Sequence, residues 1–424
     1  MHIEHNMHME RLLSRLLGDD ALGIRIEVYD GTELGPERSA TVARIVSPDF
    51  FHRIVTGRAS ELAFGRAYVA GDVEIEGDIY AVLGLRERLG KITLDSELLA
   101  DAAAVLGIHT VRDLARLRPL PVPPEEAKSR GYLHSHGRDA RSISSHYDVS
   151  NDFFALFLGK TMTYSCAVYQ DSNDSIDQAQ INKYDLICRK LGLRPGMRLL
   201  DVGCGWGAMV VHAVRHYGVD AVGVTISAEQ QEFAEKRVAD GGMANHAQIR
   251  LQDYRDIDDA PFDAISSIGM FEHVGEKRLG TYFDGLQRLL VPGGRLLNHA
   301  INRSVAQPSA RVDPDGFVGR FIFPDGELLE AGQVVSAISR SGLEVRHLES
   351  LREHYGLTLR EWVRRLEANW DEALEITSPG RAKAWRLYMA GSAVGFESGE
   401  FNLTQILATK STEGRSGLAL REIW

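Results

Sequence analysis

Short apolar runs alternate with amphipathic stretches over the middle of the chain. MRLLDVG, starting at Met197, reads as a strand. AMVVHAVRHYG carries apolar residues at helical spacing and ends at Gly218. DAVGVTI is the next strand, and SAEQQEFAEKRVADGG the next helix, with Ser227 as N-cap and Gly241 as stop. AQIRLQDY, FDAISSIG and GGRLLNHAI are further strands. EKRLGTYFDGLQRLL is a helix before the turn VPGG, and EFNLTQILATK reads as a closing strand. Such alternation predicts an α/β fold: a mostly parallel sheet with helices on both faces.

The first part of the chain differs. RIEVYDG, ARIVSPDFFHRIVTG and RAYVAGDVEIEGD suggest strands and a short helix punctuated by Gly and Asp, hence a smaller α+β domain over residues 1–118. A Pro-rich, then polar and Gly-containing stretch follows, expected as a linker over 119–141. The second domain is expected over 142–424.

Charge and composition narrow the function. The net charge of −11 argues against broad nucleic-acid binding, though a local basic patch can still meet anionic lipid. No apolar run is long enough to predict a membrane-spanning helix, and the N-terminus lacks the pattern of a secretory signal. Three cysteines (Cys166, Cys188, Cys204) without a CxxC suit a reducing cytoplasm better than a disulfide framework or zinc. His2, His5 and His8 have helical spacing but are read as a frayed, solvated terminus.

DVGCGWG (Asp201–Gly207) closes the first strand of the α/β region and opens its first helix. Gly203, Gly205 and Gly207 permit a sharp turn and close approach of a ligand. The pattern alone is weak evidence for a nucleotide. However, Asp201 before the loop suits a cationic amino-acid moiety better than pyrophosphate. The second strand also ends in GVTIS, without the acidic residue that commonly holds a nicotinamide ribose. Both features favour S-adenosylmethionine over NAD.

Eight segments together carry a resemblance: SHYDVSNDFF, TMTYSCAVY, QAQINKYDLICRKLGL, LLDVGCGWG, GVTIS, DYRD, SIGMFEHVG and REHYGLTLREW. In this order they resemble the cyclopropane-fatty-acyl-phospholipid synthase family, with its mycolic-acid cyclopropane synthases and the methyltransferases that build 10-methyl-branched fatty acids. The resemblance runs from about Ser142 to the end. The N-terminal domain resembles, less distinctly, the extra domain of phospholipid-acting members.

The resemblance implies a class I S-adenosylmethionine-dependent methyltransferase, Rossmann-like, that methylates the cis double bond of an acyl chain. The resulting carbocation loses a proton to bound bicarbonate. Loss from the new methyl closes a cyclopropane; loss after a hydride shift leaves a methylene branch, and the sequence does not choose. The family pattern assigns the bicarbonate cage to Cys166, Glu272, His299 and Tyr355, with the Ile301 N–H as a further donor. It places His146 and Tyr147 along the site and the Tyr164 ring beside the cation. For the cofactor it implies Ser165 near the methionine end, Asp201 and the glycine loop, then Thr225, Ile226 and Gln230 at the ribose, and Asp253 and Tyr254 at the adenine. Ser392 stands where many members carry cysteine, which excludes a covalent role there.

The expected partners are membrane phospholipid acyl chains, reached by peripheral contact at the inner face of the plasma membrane, with no nucleic acid. A homodimer, and a reductase if the product is a methylene branch, complete the expectation. Two rivals are less well matched. A methyltransferase for a small polar nucleophile needs a side-chain base near the sulfonium, and a non-catalytic lipid carrier has no use for the cofactor motifs. Cys166 itself is expected to be a small, weakly polar wall rather than a nucleophile or ligand.

Overall fold

Every apolar run expected as a strand between residues 197 and 301 forms one. The computed structural model describes residues 2–17, 23–57, 60–85, 95–108, 117–127, 150–171, 173–304 and 312–421, the side chains of 2–6 and 16–17 excepted. His146, Tyr147 and the expected domain start at Ser142 lie outside the described residues. The chain divides into two compact units. The first comprises Met1–Lys128, Asp313–Ile322 and Thr377–Gly391; the second takes Ser129–Val312, Phe323–Ile376 and Ser392–Trp424. Two segments from within the expected 142–424 block therefore belong to the N-terminal unit.

The first unit is built on a four-stranded sheet in the order β2-β1-β3-β4, with β1 Arg25–Val28, β2 Glu33–Leu34, β3 Val42–Ile45 and β4 Val73–Glu76. β1 and β3 are parallel; the other pairs are antiparallel. RAYVA is the end of the helix Glu61–Ala70, capped by Ser60 and stopped at Gly71 with φ +85°. Segments distant in sequence join this unit through specific contacts. Arg386 donates to Tyr68 OH at 3.0 Å and to the carbonyls of Ile75 at 3.1 Å and Gly77 at 2.9 Å. The Phe317 ring packs so closely on Gly65 that a Cβ there would lie 2.3 Å from it.

Two expectations for this unit change. The N-terminus is a helix, His2–Leu17, that buries Met9, Leu12 and Leu13. His8 is held by Asp101 at 2.7 Å, because an amphipathic stripe docks the turn that was read as frayed. The first part of the expected linker is also tied down. Buried Glu126 receives two bonds from Arg66, at 2.8 and 2.7 Å, and Ala127 N–H donates to Arg320 O at 2.7 Å.

The second unit carries a seven-stranded sheet. Its strands are β5 Arg198–Val202, β6 Asp220–Thr225, β7 Ala247–Leu251, β8 Phe262–Ile268, β9 Leu290–Arg303, β10 Glu344–Ser350 and β11 Phe401–Thr409, ordered β10-β11-β9-β8-β5-β6-β7. β5 to β9 pair in parallel, while β11 inserts antiparallel between β9 and β10. VPGG bulges out of β9 rather than preceding it: Phe262 pairs with Leu290 but Ala264 already with Arg295. Leu199, Ala264, Leu297 and Leu407 face one apolar layer, and Leu200, Ile265, Leu296 and Ile406 the other. Both faces are thus dry, as the continuous apolar strands demand. The strand order reverses beside β5, which puts the carboxyl ends of β5, β6 and β8 around one crevice.

Candidate active site

The glycine loop after β5 is pinned to β6: the N–H groups of Gly203 and Cys204 both donate to Val224 O, at 3.0 and 2.9 Å. Gly203 and Gly205 take left-handed φ values of +75° and +52°. A Cβ on Gly203 would strike Met270 at 2.8 Å, whereas one on Gly205 would enter open space. The loop therefore opens where a ligand could lie against backbone. Behind it Asp201 is buried and accepts from Ser266 Oγ at 2.7 Å. Burial raises its pKa to about 6, opposed by Ser266 and by the nearby Lys183 charge.

The segment TMTYSC closes the other side. Met162 holds φ +50°, an uncommon conformation for a residue with a side chain. Gly269, just past β8, lies with its α-carbon toward Ser165, whose Cβ is 3.7 Å from the place a Gly269 Cβ would take. Lys183 Nζ, fully buried, donates to Ser165 Oγ at 2.7 Å, and burial lowers its pKa to about 7. Cys166 is fully buried with its thiol directed to Ala167 O at 3.2 Å; burial pushes its pKa far up, so it stays a thiol. The backbone around it is tied to the helix Arg352–Ala368, since Ala167 N–H donates to Thr358 Oγ1 at 3.0 Å. That helix begins against β11 through Leu351 N–H to Leu403 O at 2.8 Å, and buries Tyr355 one turn on.

β9 runs beyond the end of β8 and so leaves a backbone donor open. Ile301 N–H uses it on Glu272 Oε1 at 2.8 Å. This revises the expectation for Ile301: its N–H positions the Glu272 carboxyl rather than standing ready for an anion. Glu272 Oε2 is buried and has no hydrogen-bond partner among the described residues, and burial lifts the carboxyl pKa to about 7. One register step away His299 is 1% exposed. Its Nδ1 meets Gln405 Nε2 at 3.2 Å, and its Nε2 has no partner among the described residues. Burial and the charges of Lys183 and Lys190 push its pKa well below the usual histidine range, so the ring is neutral.

Residues 134–406 match the family model described as mycolic acid cyclopropane synthetase. The chain belongs to this family. It is 42% identical over 413 residues to a probable fatty acid methyltransferase of Mycobacterium tuberculosis, covering 95% of this chain and 94% of that one. It is 33% identical over 371 residues to the cyclopropane-fatty-acyl-phospholipid synthase of Escherichia coli, covering 87% and 88%. A crystal structure of a mycolic acid cyclopropane synthase complexed with SAH and CTAB superposes with a TM-score of 0.60 at 35% identity, covering 65% of this chain and 99% of that one. The protein is thus an S-adenosylmethionine-dependent methyltransferase of the class I α/β fold.

The other residues expected at the cofactor stand at or just past the carboxyl ends of β6 and β7. Thr225 Oγ1 donates to Gln230 Oε1 at 2.8 Å, so these two side chains fix each other at the end of β6, with half-buried Ile226 between them. Asp253 accepts from Arg255 N–H and Nε at 3.0 and 2.8 Å, so its carboxylate is engaged within its own turn. Tyr254 sets its ring edge-on to Tyr282 at 5.0 Å. The loop geometry fits S-adenosylmethionine: backbone turned toward open space, with a buried carboxylate behind. Among the described residues no helix is long and apolar enough to cross a membrane.

Tyr164 and Tyr355 belong to aromatic contacts whose other members, Phe154, Trp362 and Phe396, have no role assigned from the sequence. The Tyr164 ring stacks on Trp362 at 5.4 Å and touches Phe154 at 5.8 Å, while Tyr355 meets Phe396 at 4.6 Å. Lys183 and Lys190 were also passed over. Their signal was present: both sit on the buried stripe of the helix Ile176–Leu191, two turns apart, among Ile176, Ala179 and Ile187.

Proposed function

We propose that the chain methylates the cis double bond of unsaturated acyl chains in membrane phospholipids, and that bicarbonate held by Cys166, Glu272, His299 and Tyr355 takes the departing proton to give a cyclopropane. The carrying observation is a pair of buried atoms without partners among the described residues: Glu272 Oε2, just past β8, and His299 Nε2, on β9 where its pairing with β8 ends. Two buried polar atoms without partners are costly unless a ligand completes them. One is an acceptor on a carboxyl poised near neutrality; the other belongs to a neutral imidazole. An anion that carries one O–H suits that pair.

When bound, S-adenosylmethionine supplies an electrophilic methyl on sulfur, and bicarbonate supplies a base. The chain's own residues set the conditions. Cys166 stays protonated because it is buried; a thiolate there would itself be alkylated. Tyr164, Trp362 and Phe154 form an apolar wall that excludes water and offers ring faces to a carbocation. Glu272, held by Ile301 N–H, would accept the anion's O–H on its second oxygen, and His299 and Tyr355 would donate to the remaining oxygens. The 203–207 loop would hold the cofactor, with Ser165 at its methionine end and Thr225, Ile226, Gln230, Asp253 and Tyr254 along the nucleoside.

Length supports the phospholipid reading. The Escherichia coli relative covers 87% of this chain, whereas a cyclopropane mycolic acid synthase of Mycobacterium tuberculosis, 36% identical, covers 63% of it and 96% of itself. The N-terminal unit is thus shared with the phospholipid enzyme, and we assign it to docking at the inner membrane surface, within a homodimer. One observation favours methylene branching instead: the relative at 42% identity is named a fatty acid methyltransferase. In that case a reductase completes the product. The test is incubation with S-adenosylmethionine and oleoyl phospholipid vesicles, followed by mass spectrometry and chromatography against both product standards. Gain of one CH2 unit is expected; its absence sinks the proposal, and retention time separates ring from branch. Carbonate-depleted buffer should slow turnover and added bicarbonate restore it. Indifference to bicarbonate removes the anion from the mechanism.

A further inference from the structure

We propose that Gln405, oriented by Lys190 and Glu349, fixes the tautomer of His299 with its proton on Nε2, directed to the anion site. Lys190 lies in the last turn of the helix Ile176–Leu191. Lys190 is fully buried, and its Nζ contacts Glu349 Oε2 at 2.5 Å and Gln405 Oε1 at 2.7 Å. An ammonium only donates, so it must face the carbonyl oxygen of the Gln405 amide. Burial lowers the Lys190 pKa and the contacts with Glu349 oppose that shift; toward these two oxygens its Nζ is the donor.

The Gln405 orientation then dictates the next contact. With Oε1 turned to Lys190, the amide NH2 faces His299 Nδ1 at 3.2 Å. An NH2 group donates, so Nδ1 is the acceptor and carries no proton. A neutral imidazole must then carry its proton on Nε2, the atom left without a partner. β9 and β11 make the contact obligatory, since His299 and Gln405 are paired directly across the two strands. Reversing the amide would set its NH2 against Lys190 Nζ, donor against donor, so the lysine fixes the amide orientation. Gln405, Lys190 and Glu349 are therefore positioning residues. Their catalytic purpose rests on the bicarbonate reading above; the tautomer itself does not.

The test is nitrogen NMR on full-length protein labelled with 15N-histidine, without substrate, at pH 8, with the His299 signal assigned by its loss in His299→Gln. The wild type should show protonated Nε2 and bare Nδ1. Gln405→Glu replaces the donor with a carboxylate acceptor and should place a proton on Nδ1. Protonated Nδ1 in the wild type overturns the proposal, and this arm needs no variant to fold. Bare Nδ1 in Gln405→Glu overturns it as well. In turnover assays Gln405→Glu should raise the apparent KM for bicarbonate about tenfold, the value of one hydrogen bond to a charged group, with the KM for S-adenosylmethionine unchanged. If the tautomers behave as stated but neither protein responds to bicarbonate, the relay stands and the anion reading fails.

Discussion

Glu272→Gln should make the protein more stable at alkaline pH while it slows turnover severely. The carboxyl is 9% exposed, and burial lifts its pKa from the ordinary 4.5 to about 7. The folded state thus binds the proton more tightly than the unfolded one. Ionisation costs stability as pH rises from the unfolded value through the folded one, and the loss levels off above it. At 1.36 kcal/mol per unit, the full penalty is about 3 kcal/mol at pH 8 and under about 1 kcal/mol at pH 5. Glutamine removes it and keeps an oxygen for Ile301 N–H. Urea unfolding of both proteins at pH 5 and pH 8 should therefore show a difference that favours Glu272→Gln by about 2.5 kcal/mol more at the higher pH. Affinity for S-adenosylmethionine should hold, since Glu272 lies outside the glycine loop. An equal stability difference at the two pH values would refute the argument that this carboxyl is strained by burial, and unchanged turnover would remove it from the base site.

Gly205→Val should fold but lose cofactor affinity, because φ +52° disfavours a branched side chain by about 1–2 kcal/mol and the new atoms enter the open space; equilibrium dialysis reads the loss. Tyr164→Leu removes the ring face and should lower kcat up to about thirtyfold, the equivalent of a desolvated cation–π contact near 2 kcal/mol, whereas Tyr164→Phe should retain most activity. Cys166 should resist iodoacetamide in the native protein and react after unfolding, and Cys166→Ser should keep partial activity; fast labelling of the folded protein contradicts its protonated, buried state.

Where local patterns dictate structure, reading the chain succeeded. The helix Ala228–Asp240 begins at Ser227, whose hydroxyl accepts from Gln230 N–H, and its chain reversal follows at Gly241 and Gly242. The helix Ala208–Tyr217 ends at Gly218 with φ +65°. Errors arose where distant segments decide. The N-terminal helix is held at His8 by Asp101, and the stretch expected as a linker is held by Arg66, partners no local window contains. EFNLTQILATK was legible as a strand, but its place between β9 and β10 was not.

The sequence alone was enough for the glycine loop, the strand–helix alternation and the family motifs, because these are local requirements of backbone and spacing. It could not say which donors were already engaged. Ile301 N–H is spent on Glu272, and the His299 Nδ1 on Gln405, a residue more than a hundred positions away. Only tertiary structure leaves Glu272 Oε2 and His299 Nε2 without partners among the described residues. The physical reason is that hydrogen-bond capacity is finite: which buried atoms remain for chemistry depends on every neighbour the fold supplies.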